Sequence, residues 1–118
     1  MRENVVKEKS FSFAVRVIKL YKYLVDDKKE FVLSKQLLRS GTSVGAMIRE
    51  TEHAESQNDF IHKMAIAQKE MNESLYWLEL LQKTDYLSQD QFDSINFDAL
   101  EIIKIITSIL KTTKNKLG

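Results

Sequence analysis

The sequence predicts an all-α protein folded as an antiparallel up-down-up-down four-helix bundle, and three observations carry that expectation. Among 118 residues there is no proline and there are three glycines, so little in the chain forces a helix to break. Apolar residues recur at spacings of three and four, the period of an amphipathic helix. Three short polar interruptions divide the pattern into four segments, and connections of about four to seven residues suit antiparallel neighbours. One domain is expected over residues 1–118.

The first helix is expected over about 12–27. Phe11, Ala14, Ile18, Tyr21 and Val25 form one stripe, and Phe13, Val17, Leu20 and Leu24 form another. Asp26 to Glu30 then supplies a polar turn. The second helix is expected over about 34–54, with Leu37, Gly41, Val44 and Ile48 facing one way. Its middle, Ser40-Gly41-Thr42-Ser43-Val44-Gly45-Ala46, is small-residue rich, and each glycine disfavours a helix by about 1 kcal/mol relative to alanine. Such a segment gains when a neighbouring backbone comes close, which points to Gly41, Ser43, Gly45 and Ala46 as a close-packing surface. A phosphate-binding loop is excluded, since the glycine spacing is wrong and no Lys-Ser/Thr pair follows.

Ser56 is placed to cap the third helix, expected over 57–83, with Asp59 near its positive end. Phe60, Met64, Ala67, Met71, Leu75, Leu78 and Leu81 make its apolar stripe, flanked by Ile66, Trp77 and Leu80. Ser88 and Gln91 match a capping box ahead of the fourth helix, expected over 89–112. There Phe92, Ile95, Ala99, Ile102, Ile106 and Ile109 repeat cleanly, Leu100, Ile103 and Leu110 run beside them, and Phe97 and Ile105 fall outside both. The basic tail 111–118 is expected to fray. One stripe per helix seals a bundle. The second stripes on the first, third and fourth helices therefore predict a homo-oligomer, the competing reading being a broad core face on each helix.

Composition narrows the function classes. Without cysteine there is neither a disulfide nor a cysteine metal site. The first ten residues lack the apolar centre of a secretory signal, and no apolar run reaches the roughly 20 residues that span a bilayer, so a cytoplasmic location is expected. Eighteen basic and seventeen acidic side chains give a net charge of +1, but they are unevenly placed. Residues 1–49 carry +6, residues 50–103 carry −9 and residues 104–118 carry +4.

The run Leu33 to Ala46 with Ile48-Arg49-Glu50, continued by Asp59-Phe60, Ile66-Ala67, Lys69-Glu70, Glu73 and Tyr76-Trp77-Leu78, resembles the bacterial four-helix-bundle family named after proteins encoded in intervening sequences of 23S ribosomal RNA genes. The likeness extends from about Phe11 to Leu110. One departure is Met47, where the family pattern usually has Asn. The resemblance implies an antiparallel bundle assembling as a ring-like homopentamer. It also implies similarity to the accessory variability determinant proteins of diversity-generating retroelements, which bind nucleic acid and a reverse transcriptase.

Candidate nucleic-acid-binding residues are Arg16, Lys19 and Lys22 on the first helix and Lys35, Arg39 and Arg49 on the second. Phosphate neutralisation there would be salt-sensitive and independent of sequence. The competing reading is a solvated face whose lysines pair with a neighbour's acidic helix. Glu50-x-x-His53 and Asp59-x-x-His62 echo the paired motifs of di-iron bundles. Two further inward carboxylates are missing, however, and both pairs flank a turn, so surface histidines are the expectation. Glu70 and Glu73 are placed to meet Arg39 or Arg49 and fix register. The sequence thus predicts a non-enzymatic, homo-oligomeric interaction module, with RNA or DNA a candidate ligand of the basic face. The alternatives are a structural or protein-binding oligomer and, remotely, a metal-dependent enzyme. No cofactor, membrane or small-molecule substrate is indicated.

Overall fold

The computed structural model describes residues 2–117, which form four helices and no strand: α1 (Arg2–Asp26), α2 (Leu33–Thr51), α3 (Gln57–Lys83) and α4 (Gln89–Leu117). Helices pack as α1–α2, α2–α3, α3–α4 and α4–α1, with no diagonal contact, which is a square bundle. Every side is antiparallel. Lys7 reaches Glu52 while Val17 lies against Gly41, and Lys9 reaches Glu101 while Arg16 reaches Ser94. The molecule is a rod of 48 × 22 × 20 Å, and its radius of gyration of 14.8 Å exceeds the roughly 13.5 Å of a compact domain this long. A thin rod leaves each helix a broad outer face.

Three of the expected helix limits are corrected. Helix α1 begins at Arg2, ten residues ahead of the expected start. Val6 and Ser10 continue the inward row of Phe13, Val17 and Leu24 and are completely buried. The flanking charges fall to the sides, where Lys7 pairs with Glu52 at 2.7 Å and Lys9 with Glu101 at 3.0 Å. Helix α2 ends at Thr51 rather than 54, because the amides of Glu52, His53 and Ala54 each bond three residues back and tighten the chain into a turn. Helix α4 runs on to Leu117, so the segment expected to fray is helical, with Gly118 outside the described residues. Leu110 is buried, and Lys114 and Lys116 in the last turn complement the negative helix end.

The caps explain where α2, α3 and α4 start. Ser56 Oγ accepts from the Asp59 amide at 3.0 Å, and Asp59 accepts from the Glu55 amide in return. Ser88 and Gln91 exchange side-chain-to-amide bonds at 2.9 and 3.1 Å, the reciprocal capping box. The start of α2 is held differently. Glu30, four residues upstream of Ser34, is buried, and its carboxylate accepts from the amides of Val32, Leu33 and Ser34. Burial pushes the Glu30 carboxyl up, but those three amides, with the Ser34 hydroxyl, together hold it below the usual carboxylate range.

The small-residue segment packs on two sides. A Cβ built on Gly41 would lie 2.8 and 2.9 Å from the Val17 methyls, so the missing side chain is what lets α1 approach. Gly45 faces Ser10, and on the other side Ser74 Oγ donates to Ser40 Oγ at 2.9 Å. Ser43 turns away from this contact, and Ala46 lines the α1–α2 seam at its outer edge. They lie outside the arc that holds Gly41 and Gly45; Ser43 bonds back to the Arg39 carbonyl at 2.6 Å and Ala46 is exposed.

Candidate interaction surface

The core consists of the second stripe of α1 together with the first stripes of α3 and α4 and the Leu37-Val44-Ile48 row of α2. Much of what looked surplus is absorbed within one chain: Leu110 is buried, while Ile66, Trp77, Leu80 and Ile103 are half-buried. The broad-core reading therefore holds for much of α3 and α4. The exposed apolar side chains within the helices include Val5, Phe11, Ile18, Tyr76, Phe97, Leu100 and Leu117. Phe11 is 55% exposed, Ile18 40%, Phe97 70% and Leu100 41%, all within helices. Phe11 and Ile18 line a groove of about 320 Å³ between α1 and α2, floored by Ala14, Gly45 and Ala46. The Arg49 guanidinium lies 5.3 Å over the Phe11 ring, a cation–π arrangement.

The six candidate cations are not gathered on one face. Arg16 turns to α4, donating to Asp98 Oδ2 at 2.7 Å and to the Ser94 carbonyl and hydroxyl. Arg39 turns to α3, donating to Glu70 at 2.7 Å and to Glu73. The Trp77 indole N–H, bonded at 3.0 Å, and the Arg39 guanidinium hold the Glu73 carboxyl below its usual range against the opposing effect of burial. The two carboxylates in turn raise the Arg39 pKa. The expected register contact of Glu70 and Glu73 is thus made by Arg39, whereas Arg49 stands over Phe11. Lys19, Lys22 and Lys35 are exposed and make no ion pair among the described residues.

An even basic face along α1 and α2 is therefore corrected to three paired or stacked arginines in three helix seams, with free lysines between them. The reason is bundle geometry. Residues three and six apart drift around a helix, so Arg16 reaches α4 while Lys22 faces solvent. The acidic partners of the arginines come from α3 and α4 of the same chain.

Around the α2–α3 turn, Glu50, His53 and His62 are exposed, and Asp59 is engaged by Lys63 at 2.6 Å and by the Glu55 amide. Those two contacts, the lysine foremost, lower the Asp59 pKa. No group of three or more His, Asp and Glu among the described residues is gathered closely enough to hold a metal. No described helix is long and apolar enough to cross a membrane.

Two features escaped the sequence reading. Glu30 as the cap of α2 was signalled by an acid just ahead of a helix start. The pairing of Arg16 with Asp98 spans 82 residues and has no local signal.

A family model described as 23S rRNA-intervening sequence protein matches residues 2–108. Among solved structures, the chain is similar to a protein of unknown function from the S23 ribosomal protein family of Bacteroides thetaiotaomicron. The two share 59% identity with a TM-score of 0.93, over 94% of this chain and 99% of that one. No curated protein matches the sequence significantly. Neither the family nor this neighbour is a known enzyme family.

Proposed function

This chain belongs to the 23S rRNA-intervening sequence protein family, and from that premise we propose that it is a non-enzymatic, self-associating interaction module. The observation that carries the reading is the exposure of Phe11, Ile18, Phe97 and Leu100 on a bundle whose core is already sealed. Water-facing aromatics at mid-helix, clustered with aliphatics, mark association surfaces. Static light scattering at micromolar concentration tests the reading: a mass above the 13.8 kDa chain is expected, and a monomer at all concentrations overturns it. The family resemblance implies five copies.

A polyanion such as RNA or DNA is the proposed ligand of the assembly, and the support is the set of free cations Lys19, Lys22 and Lys35 with Arg49. Repetition around an oligomer would multiply their effect. Arg16 and Arg39 are assigned to bundle register, because each is engaged by carboxylates of its own chain. A mobility shift with structured RNA at low and moderate salt tests this. Binding that weakens with salt and is lost in Lys19→Glu, Lys22→Glu, Lys35→Glu is expected. Absence of binding at low salt favours a purely structural or protein-binding oligomer.

A further inference from the structure

Residues 102–117 contain four lysines and no acid, and they form the last turns of α4 instead of a loose tail. Helical order fixes where each side chain stands. Ile102, Ile106, Ile109 and Leu110 are buried, which turns Lys104, Ser108, Lys111 and Asn115, at steps of four, three and four, to the opposite, exposed side. Thr107 takes a bond from Gln68 of α3 at 3.1 Å, and Lys114 stands two turns further along that same flank. From the other flank Arg2 of α1 reaches in and donates to Ser108 Oγ. Resting on the polyanion reading above, we infer that this row is a track for the phosphate backbone of a nucleic-acid duplex, separate from the cations of α1 and α2 named there.

The surroundings leave the positive charge uncompensated. Arg2, Lys104, Lys111 and Lys114 make no ion pair among the described residues. The stretch of α3 that runs beside the row, from Phe60 near Thr113 to Gln68 at Thr107, contains no acid. Just ahead of it, Asp59 is held by Lys63. On the α1 flank, Glu101 is engaged by Lys9, and Glu3 shares a cleft with Lys116 at the end of the rod, which sets Lys116 apart from the row.

The kind of partner follows from what the row lacks. Between Leu100 and Leu117 no large apolar side chain of α4 is exposed. A protein partner is gripped by buried aromatic and aliphatic anchors, and a helix lying on a membrane needs an apolar face. Single strands are held by aromatic stacking, and no aromatic residue occurs after Phe97. A phosphate backbone asks for cations and small donors alone. The Thr107 and Ser108 oxygens accept from Gln68 and Arg2, so their own protons stay free to donate to phosphate oxygens.

Spacing suits a duplex. Lys104, Arg2 at the height of Ser108, Lys111 and Lys114 stand about 4–6 Å apart along about 15 Å of straight helix. A duplex carries a negative charge for roughly every 1.7 Å of its axis, so each cation meets a phosphate whatever the base sequence. The bundle supplies the rigidity, since the opposite side of the same turns is locked into the core.

The test uses the full chain, short RNA and DNA duplexes and a single strand, with binding followed by fluorescence anisotropy across a salt series. Lys104→Gln, Lys111→Gln, Lys114→Gln combined should weaken duplex binding at least about tenfold and lower the magnitude of the salt slope by about 2–3, with circular dichroism unchanged. Lysine to arginine at the same positions should keep both affinity and slope. Lys28→Gln, Lys69→Gln, Lys83→Gln combined removes equal charge elsewhere and should leave the slope as in the wild type. In the wild-type protein, duplex should also shield Lys104, Lys111 and Lys114 from acetylation, read by mass spectrometry. A wild type that binds no nucleic acid at low salt overturns the polyanion reading itself. A wild type that binds overturns the α4 track alone if the glutamine variant keeps its slope, if the control loses as much, if the three lysines stay reactive, or if the single strand binds more tightly than either duplex.

Discussion

Alanine placed at Gly41 and at Gly45, four residues apart on α2, should change stability in opposite directions. Each replacement removes the helix penalty of glycine, worth about 1 kcal/mol. At Gly41 the new Cβ lies 2.8 and 2.9 Å from the two methyls of Val17 and 3.3 Å from its Cβ. Val17 is β-branched on a helix, where one χ1 well dominates, and its side chain is completely buried. Neither side-chain rotation nor solvent relieves the overlap, so α1 must move outward. Overpacking of this kind costs about 1–3 kcal/mol, and with both methyls engaged the net loss for Gly41→Ala is about 1–2 kcal/mol.

At Gly45 the nearest atoms are the carbonyl and hydroxyl oxygens of Ser10 at 3.4 Å, an ordinary contact, so Gly45→Ala gains up to about 1 kcal/mol. For a chain of 118 residues, 1 kcal/mol is about 4 °C in Tm. Gly41→Ala should therefore melt about 4–8 °C below wild type and Gly45→Ala about 2–4 °C above it, compared by calorimetry or circular dichroism at one protein concentration. Val17→Ala should relieve the Gly41→Ala variant, with a coupling of about 0.5–3 kcal/mol in the double-mutant cycle. Equal or higher stability of Gly41→Ala, or additive losses in the cycle, would refute the argument that this glycine sets the α1–α2 distance.

Glu30→Gln should cost about 1–3 kcal/mol at neutral pH, because an amide turns one donor towards the three α2 amides. The folded pKa of Glu30 is lowered, so its contribution is complete above the ordinary unfolded carboxylate value and fades as pH falls through the folded value; urea titrations should show the wild-type advantage closing in acid. Lys29 and Asp85 adopt φ of 56° and 70°, and Lys29→Gly and Asp85→Gly should each stabilise by about 0.5–1 kcal/mol, read as a higher urea midpoint; a lower one contradicts the strain account. Val6→Ala should cost about 1–3 kcal/mol if the first turns of α1 belong to the core, and an unchanged midpoint would return them to a loose tail.

The parts of the fold legible in the sequence were those written in local chemistry. Ser56 with Asp59 and Ser88 with Gln91 marked helix starts because a cap is a contact between residues three apart. The Ile95-to-Ile109 row of α4 was legible because burial repeats with the helix period. Gly41 stood out because a glycine inside a helix demands a reason. The far ends of α1 and α4 were misread because charged and small polar residues mask helical segments whose stability comes from Val6, Ser10 and Leu110 meeting other helices.

The candidate surface divides in the same way. The sequence by itself determined an all-α bundle, an uneven charge and more apolar surface than an obvious single core required, since period, caps and composition are properties of neighbours along the chain. Tertiary structure alone decided which of those residues are spent inside. Arg16 is claimed by Asp98 and Arg39 by Glu70 and Glu73, Trp77 and Leu80 tuck against the bundle, and Phe11, Ile18, Phe97 and Leu100 are left facing water. The physical reason is that a side chain's partner across a bundle is set by the rotation and height of two helices at once, and neither is encoded within reach of a few residues.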